Sequence, residues 1–258
     1  MNARAAIRAV RAGAGALEAL AVAGEGRVLA WFPAACYVEA PNGLLALAAP
    51  GVWEGPLHLL LDRPVPRSAV GSVVEARGGL LRGPGWTVRV AGASAWSGAV
   101  PSPVAVRRAA VAIRHALTGI VARSRVEPSV VARAAELVVR GDLEELAALL
   151  AGRGPGLTPA GDDALAGVLL VTRAAAGEPV EPRLERIAAA ARTSRTAGAF
   201  LRWAARGQSL RPAHELLAAA TRGDARGAAR WARLLAAVGE SSGADLALGM
   251  GWAAAAIA

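Results

Sequence analysis

The sequence contains no lysine, and only one cysteine, one tyrosine, two phenylalanines and three histidines among its 258 residues. All 29 basic residues are therefore arginines, and the Gly-Lys-Ser/Thr ending of a phosphate-binding Walker A loop is absent. The single cysteine, Cys36, excludes both an intramolecular disulfide framework and a Cys-x-x-Cys motif, so we expect a reducing, cytoplasmic location. Because the histidines (His58, His115 and His214) are isolated from one another, the sequence offers no His/Cys cluster of the kind that binds zinc.

Long hydrophobic runs are also missing. The C-terminal stretch Leu246 to Ala258 is apolar but spans only 13 residues, whereas a membrane-spanning helix needs about 20. The first residues include Arg4, Arg8 and Arg11, with no continuous apolar segment after them, so no signal peptide is predicted. We expect a buried helix at the C-terminus and no association with a membrane.

The composition is that of a folded globular protein, with 54% hydrophobic and 19% charged residues. The net charge of +9 raises the question of nucleic-acid binding. A nucleic-acid-binding protein clusters its basic residues with aromatics on one face, but these arginines are scattered, one or two to each predicted helix. The charge fits acidic small molecules or acidic partner proteins equally well, and we predict no nucleic-acid partner.

The periodicity predicts an α+β protein with a β-rich N-terminal part and an all-helical C-terminal part. An amphipathic helix is predicted over residues 1–24, followed by short strands separated by turns that contain Pro, Gly and Asn, a pattern typical of a small barrel or sandwich. The predicted strands are Arg27–Phe32, Cys36–Glu39, Leu44–Leu47, Leu57–Leu61, Ser72–Glu75 and Trp86–Val90.

From Ser102 onward the periodicity is helical. Helices are predicted near 103–122, 128–140, 142–151, 159–176, 182–191, 195–206, 212–221, 225–238 and 243–256. We therefore expect two domains, with an N-terminal domain over 1–100 and a helical domain over 101–258.

The glycine-rich stretch from Gly152 to Val171 is the strongest candidate for function. It combines closely spaced glycines with Thr158-Pro159 and two adjacent acids, and an apolar helix follows at once. Thr158-Pro159 predicts a helix start, with the threonine as N-cap. The acids, Asp162 and Asp163, are candidate catalytic residues, and the residues around them (Gly154, Gly156, Thr158 and Gly161) are candidate ligand-binding residues. Capping and compensation of the helix dipole would explain one acid, but not the whole cluster.

Two further stretches each join hydroxyls to a predicted helix start. One contains Arg192, Thr193 and Ser194, which could bind a phosphate or carboxylate, although an ordinary N-cap explains it equally well. The other runs from Gly239 to Asp245 and matches Gly-x-Ser-x-Gly, but a predicted helix precedes it and no histidine follows, so a hydrolase elbow is rejected. Ser242 and Asp245 instead predict a capping box. The candidate ligand-binding residues here are Ser241, Ser242, Gly243 and Asp245.

Taken together, the three stretches resemble a bacterial family that includes AllH, a subunit associated with oxamate carbamoyltransferase in anaerobic allantoin breakdown. The residues that carry the resemblance are Gly154, Gly156, Thr158, Pro159, Gly161, Asp162, Asp163, Thr193, Ser194, Ser241, Ser242, Gly243 and Asp245, with a weaker segment at Gly55 to Leu60. Two positions depart from the family's pattern, with Ala197 in place of a serine and Glu240 in place of a frequent histidine.

The resemblance implies a subunit of a carbamoyltransferase-like enzyme that binds carbamoyl phosphate or an oxamate-like carboxylate, with other protein subunits or further copies of itself as partners. Backbone N–H groups and Arg192 or Arg195 would hold the anion, and one acid would orient an amide N–H or a metal. A magnesium site could use oxygens of Asp162, Asp163 and Asp245, although no spacing requires it. The alternative is a non-catalytic scaffold or regulatory subunit whose glycines serve helix packing.

Overall fold

A computed structural model describes residues 6–258, apart from the side chain of Val121. The chain forms two compact units, which divide between Gly98 and Ala99. All nine strands of residues 6–258 lie in the first unit, and the second unit is helical.

The first unit is a closed barrel of eight strands with one extra strand. Neighbouring strands pair in the order β5-β4-β3-β2-β6-β7-β8-β1, and pairing of β1 with β5 closes the barrel, while β9 is added beside β1. The elements are β1 (Ile7–Gly13), α1 (Ala14–Ala19), β2 (Gly24–Trp31), β3 (Ala35–Ala40), β4 (Gly43–Ala48), β5 (His58–Leu61), β6 (Val73–Arg77), β7 (Leu80–Gly83), β8 (Trp86–Arg89) and β9 (Ser94–Trp96).

The helix predicted over residues 1–24 is wrong. Residues 1–5 lie outside the described part of the chain, and Ile7–Gly13 is a strand that is followed by only the six-residue helix α1. The strand pairs with β5 on one side and with β8 and β9 on the other. Pairing on both edges therefore outweighs the helix propensity of the alanines. Gly13 allows this pairing, because a Cβ there would overlap the carbonyl oxygen of Gly55.

Of the other seven barrel strands, β2 to β6 and β8 coincide with predicted strands. Inward side chains alternate with outward ones along β2, β3 and β6, whereas β4 is buried on both faces after Gly43. The inward side chains form one apolar core, which includes Val38, Leu45, Leu59 and Leu81. The strands β7 and β9, which are only four and three residues long, were not predicted. The choice between barrel and sandwich is settled by closure, since a barrel leaves no free edge.

The second unit is a bundle of helices. Its elements are α2 (Pro103–Arg108), α3 (Ala110–Leu117), α4 (Pro128–Arg140), α5 (Leu143–Leu150), α6 (Ala160–Ala176), α7 (Glu181–Ala190), α8 (Arg195–Ala205), α9 (Arg211–Thr221), α10 (Ala225–Ala236) and α11 (Ser242–Ile257), with single 3₁₀ turns at Val121–Arg123 and Glu178–Val180. The helix predicted over 103–122 is two helices that meet at Ala109. Within residues 6–258, no helix combines the length and the apolar character that crossing a bilayer requires.

Helices α6 and α11 form the centre of this unit, and both are buried along most of their length. Their backbones touch at two glycines. A Cβ on Gly167 would overlap the carbonyl oxygen of Leu246, and one on Gly249 would overlap that of Ala164. Glycine at these positions lets the two helices approach more closely than any side chain would permit.

Candidate functional site

The glycine-rich loop before α6 is exposed to solvent at its start and buried where it enters the helix. Residues 152–156 are exposed, whereas Pro159 and Ala160 are buried. Thr158 is not the N-cap that the sequence predicted, because Pro159 occupies that position without a side-chain cap and the helix begins at Ala160. The Thr158 hydroxyl instead lies 3.1 Å from the Ser242 hydroxyl at the start of α11. This hydrogen bond joins the glycine-rich loop to the third candidate stretch.

Asp162 joins the loop to the second candidate stretch. Its carboxylate accepts hydrogen bonds from the Gly152 N–H, at 3.1 and 3.2 Å, and from the Thr193 hydroxyl, at 2.5 Å. The side chain is buried, and burial raises the pKa of Asp162, while the bonds from Thr193 and Gly152 lower it. A buried acid that is held by two donors at a loop junction positions the backbone around it.

Ser194 makes a second link between the same two stretches. Its hydroxyl donates to the carbonyl of Leu157 at 2.6 Å and accepts from the Ala197 N–H at 3.0 Å. The serine is thus the N-cap of α8, as the simpler interpretation held, and it also fastens the loop to that helix.

Asp163 points to a different neighbourhood from Asp162, as the roughly 100° between consecutive helical residues requires. Burial raises the pKa of Asp163 well above its ordinary value; the hydroxyls of Ser242 and Thr158 lower it, and the charges of Asp245 and Asp162 raise it. Its Oδ2 atom is out of contact with solvent and has no hydrogen-bond partner among the described residues.

Asp245 is wholly buried in the first turn of α11. The predicted capping box is wrong, because Ser241 is the N-cap without a side-chain bond and the Asp245 Oδ1 atom accepts from the Ser124 hydroxyl at 2.6 Å and the Arg125 N–H at 2.7 Å. Its Oδ2 atom is buried and unpartnered within the described part of the chain, like that of Asp163.

The segment that contains Ser124 was not among the predicted site residues. A signal was present, because Arg123-Ser124-Arg125 has the same mixture of arginine and hydroxyl as the stretch around Ser194. Its distance from the glycine-rich loop along the chain gave no reason to group the two. The structure groups them through Asp245.

Among the candidate glycines, two are needed for packing and two lie in the exposed loop. A Cβ on Gly161 would overlap the Leu150 carbonyl oxygen, and one on Gly243 would overlap that of Leu235. Both residues therefore let a helix start press against a neighbouring backbone. Gly154 and Gly156 adopt positive φ angles of 115° and 94°, which favour glycine.

The N–H groups of the loop, rather than those of α6, are available to a ligand. The Gly161 N–H donates to the Arg153 carbonyl, so the first turn of α6 is less open than expected. The N–H groups of Gly154, Gly156 and Thr158 have no protein partner in residues 6–258. Unpartnered N–H groups in a turn that contains residues with positive φ, here Gly154 and Gly156, form concavities that bind anions.

Arg192, in the second candidate stretch, has its backbone beside the start of this loop. Its carbonyl oxygen is 2.8 Å from where a Cβ of Gly152 would stand. Its side chain is exposed and makes no ion pair with any described residue. Arg192 is therefore a candidate cation whose charge is not neutralised by another described residue.

The proposed set of magnesium ligands does not assemble. Within the described residues, no group of three or more His, Cys, Asp or Glu side chains is placed to hold a metal ion. The reason is that Asp162 faces Thr193 and Gly152, whereas Asp245 faces Ser124 and Arg125.

A family model matches the C-terminal part of the chain. The model of the family described as oxamate carbamoyltransferase subunit AllH matches residues 150–254, which include all three candidate stretches. This match confirms the resemblance that the motifs suggested, over those residues, while the segment at Gly55 to Leu60 lies outside it. No curated protein and no solved structure has significant similarity to the chain.

Proposed function

We propose that this protein is a subunit of an oxamate carbamoyltransferase-like enzyme, and that it binds an anionic small molecule where the glycine-rich loop meets the starts of α8 and α11. The ligand is carbamoyl phosphate or an oxamate-like carboxylate. Such a subunit acts with other protein chains, and the buried thiol of Cys36 suits a reducing cytoplasm.

One observation carries this proposal more than any other. Three segments far apart in the sequence are joined by side-chain hydrogen bonds around one loop: Asp162 to Thr193, Ser194 to the Leu157 carbonyl, and Thr158 to Ser242. All three segments lie inside the matched range 150–254. Because hydrogen bonds hold the loop to the starts of both α8 and α11, its N–H groups keep fixed positions, which reduces the entropic cost of binding a ligand.

The anion is held by the exposed part of the loop. The unpartnered N–H groups of Gly154, Gly156 and Thr158 supply donors, and the guanidinium of Arg192 supplies a charge.

The alternative is a non-catalytic scaffold or regulatory subunit. The close helix contacts at Gly161 and Gly243 favour it, because they explain two motif glycines without a ligand. They do not explain why acids with unpartnered oxygens, Asp163 and Asp245, lie beside the same loop, since an unpaired buried acceptor is destabilising unless something binds it.

Isothermal titration of the purified protein with carbamoyl phosphate and with oxamate tests the proposal. We expect saturable binding of at least one ligand, and about tenfold weaker binding by Arg192→Ala, since a charged hydrogen bond is lost. Arg222→Ala is the matched control, because this exposed arginine lies at the far end of α9. Absence of binding, or equal affinity in wild type and Arg192→Ala, would reject the assignment.

A further inference from the structure

Two carboxyl oxygens beside the loop have no partner. The Oδ2 atoms of Asp163 and Asp245 are the buried side-chain atoms without a hydrogen bond in the described part of the protein. Asp245 is 0% exposed, and its other oxygen is held by two donors. Since most buried polar atoms are hydrogen-bonded, a pair of exceptions in one place requires an explanation.

The crossing of α6 and α11 keeps these two acids near each other. Ala164, next to Asp163, touches Gly249 backbone to backbone, and Leu246, next to Asp245, touches Gly167 in the same way. The hydroxyl pair of Thr158 and Ser242 bridges the two helix starts. These contacts hold α6 and α11 together within a turn of each acid, and the charge of Asp245 acts on the carboxyl of Asp163.

The chemistry of the missing partner follows from the groups present. The hydroxyls of Ser242 and Thr158 lie beside the carboxyl of Asp163, and the hydroxyl of Ser124 bonds to the other oxygen of Asp245. Neither acid forms an ion pair with an arginine in residues 6–258. A magnesium ion favours six oxygen ligands in an octahedron and usually keeps several waters among them, whereas these two oxygens are out of contact with solvent. A small neutral group with both N–H donors and a carbonyl acceptor fits better. A carboxylate oxygen accepts from the N–H donors, and a protonated carboxyl group donates to the carbonyl.

We propose that Asp163 and Asp245 form a subsite for an H₂N–C(=O)– group, so that the protein selects primary amides and carbamoyl compounds over molecules of the same shape without the amino group. Asp245 Oδ2 accepts from the amino group. Burial raises the pKa of Asp163, which favours its protonated form, and we assign its carboxyl as the donor to the carbonyl oxygen. This inference rests on the proposed function, because oxamate and carbamoyl phosphate both carry this group.

Oxamate and pyruvate provide the test in the wild-type protein. They have the same charge and nearly the same shape, and pyruvate carries a methyl group where oxamate carries its amino group. Titration calorimetry should give an affinity for oxamate that is at least about tenfold higher, because pyruvate leaves the Asp245 acceptor unpaired.

Two substitutions test the role of each acid. In Asp245→Asn, the donors Ser124 and Arg125 keep the amide oxygen in the Oδ1 position, so an NH₂ group replaces Oδ2 and faces the ligand's own NH₂. We expect the preference for oxamate to disappear. In Asp163→Asn, the amide NH₂ replaces the donor of the protonated acid, so oxamate affinity should stay within about threefold. Asp224→Asn, at the exposed N-cap of α10, is the control and should change neither affinity.

The outcomes separate this inference from the function on which it rests. Equal binding of oxamate and pyruvate by the wild type would overturn the subsite and leave anion binding intact, and this comparison needs no variant to fold. An unchanged oxamate preference in folded Asp245→Asn would also overturn it, as would tight binding of Mg²⁺ alone that Asp245→Asn abolishes. Binding of neither oxamate nor carbamoyl phosphate would overturn both proposals.

Discussion

The hydrogen bond between Thr193 and Asp162 is the connection on which the arrangement of the loop depends. The Thr193 hydroxyl donates to Asp162 Oδ2 at 2.5 Å, and Asp162 is only 2% exposed. Replacing Thr193 by valine removes the hydroxyl at almost constant volume. The carboxylate then keeps only the Gly152 N–H, whose distances of 3.1 and 3.2 Å are longer than that of the lost bond.

The expected loss of stability is about 2 kcal/mol, because hydrogen bonds to charged groups contribute roughly 1.5–3 kcal/mol and the buried acceptor is left short of a donor. Urea unfolding followed by circular dichroism gives the free energy of unfolding. Thr193→Ser is the matched control, since it keeps the hydroxyl and loses one methyl group.

The pH dependence of this loss gives a second and sharper test. The pKa of Asp162 is already raised in the folded state, and loss of the Thr193 donor raises it further. The folded protein then binds a proton that the unfolded chain has lost, so stability falls as pH rises above the ordinary Asp value near 4. We therefore expect the difference between wild type and Thr193→Val to be largest at neutral pH and to shrink as the pH is lowered towards 4. Equal stabilities at pH 7, or a difference that grows in acid, would refute the reasoning.

Two other predictions concern packing and a buried histidine. Gly249→Ala should destabilise the protein by roughly 1–3 kcal/mol, because the added methyl group overlaps the Ala164 backbone. Gly251→Ala in the same helix is the control; its methyl group meets no other atom, so this substitution should be neutral or stabilising. The midpoints of urea unfolding of the two variants and the wild type measure the difference. Burial lowers the pKa of His214, whose Nε2 atom accepts from the Ser209 N–H. The neutral ring should therefore make its full contribution to the free energy of unfolding above about pH 6.5, and this contribution should fall as the pH drops below that value. His214→Gln should flatten that fall in unfolding measurements between pH 7 and 5, and an unchanged slope would contradict the assignment.

The sequence predicted the helical part well, because long periodic segments leave little choice of structure. Helices α4 and α6 begin and end within a residue of the predicted bounds. Ile7–Gly13 was predicted wrongly, because its neighbours in the barrel, β5 and β8, lie about fifty and about eighty residues away along the chain. Local propensity carries no information about pairing partners at that distance, and the pairing decides the conformation.

The candidate site was predicted by composition, and its internal contacts were not. Hydroxyls and acids at helix starts were recognised as candidates, but Thr158, Ser242 and Asp245 were assigned as caps of their own helices. In the structure they bond to other segments. Capping rules are local, and the competing partners, Ser124 among them, become available only when α6 and α11 cross.

The glycines and the acids of the matched segment serve different physical purposes, and this bears on how relatives should be interpreted. Gly161 and Gly243 are fixed by contacts with neighbouring backbone, so a relative of any function that keeps the helix crossing needs them. Nothing in the packing requires the unpartnered oxygens of Asp163 and Asp245, and an apolar residue would avoid the unfavourable burial of an unpaired polar group. A relative that keeps the glycines but loses both acids would therefore retain the fold without the amide subsite. The acids, and not the glycines, are the positions whose loss should mark a change of ligand.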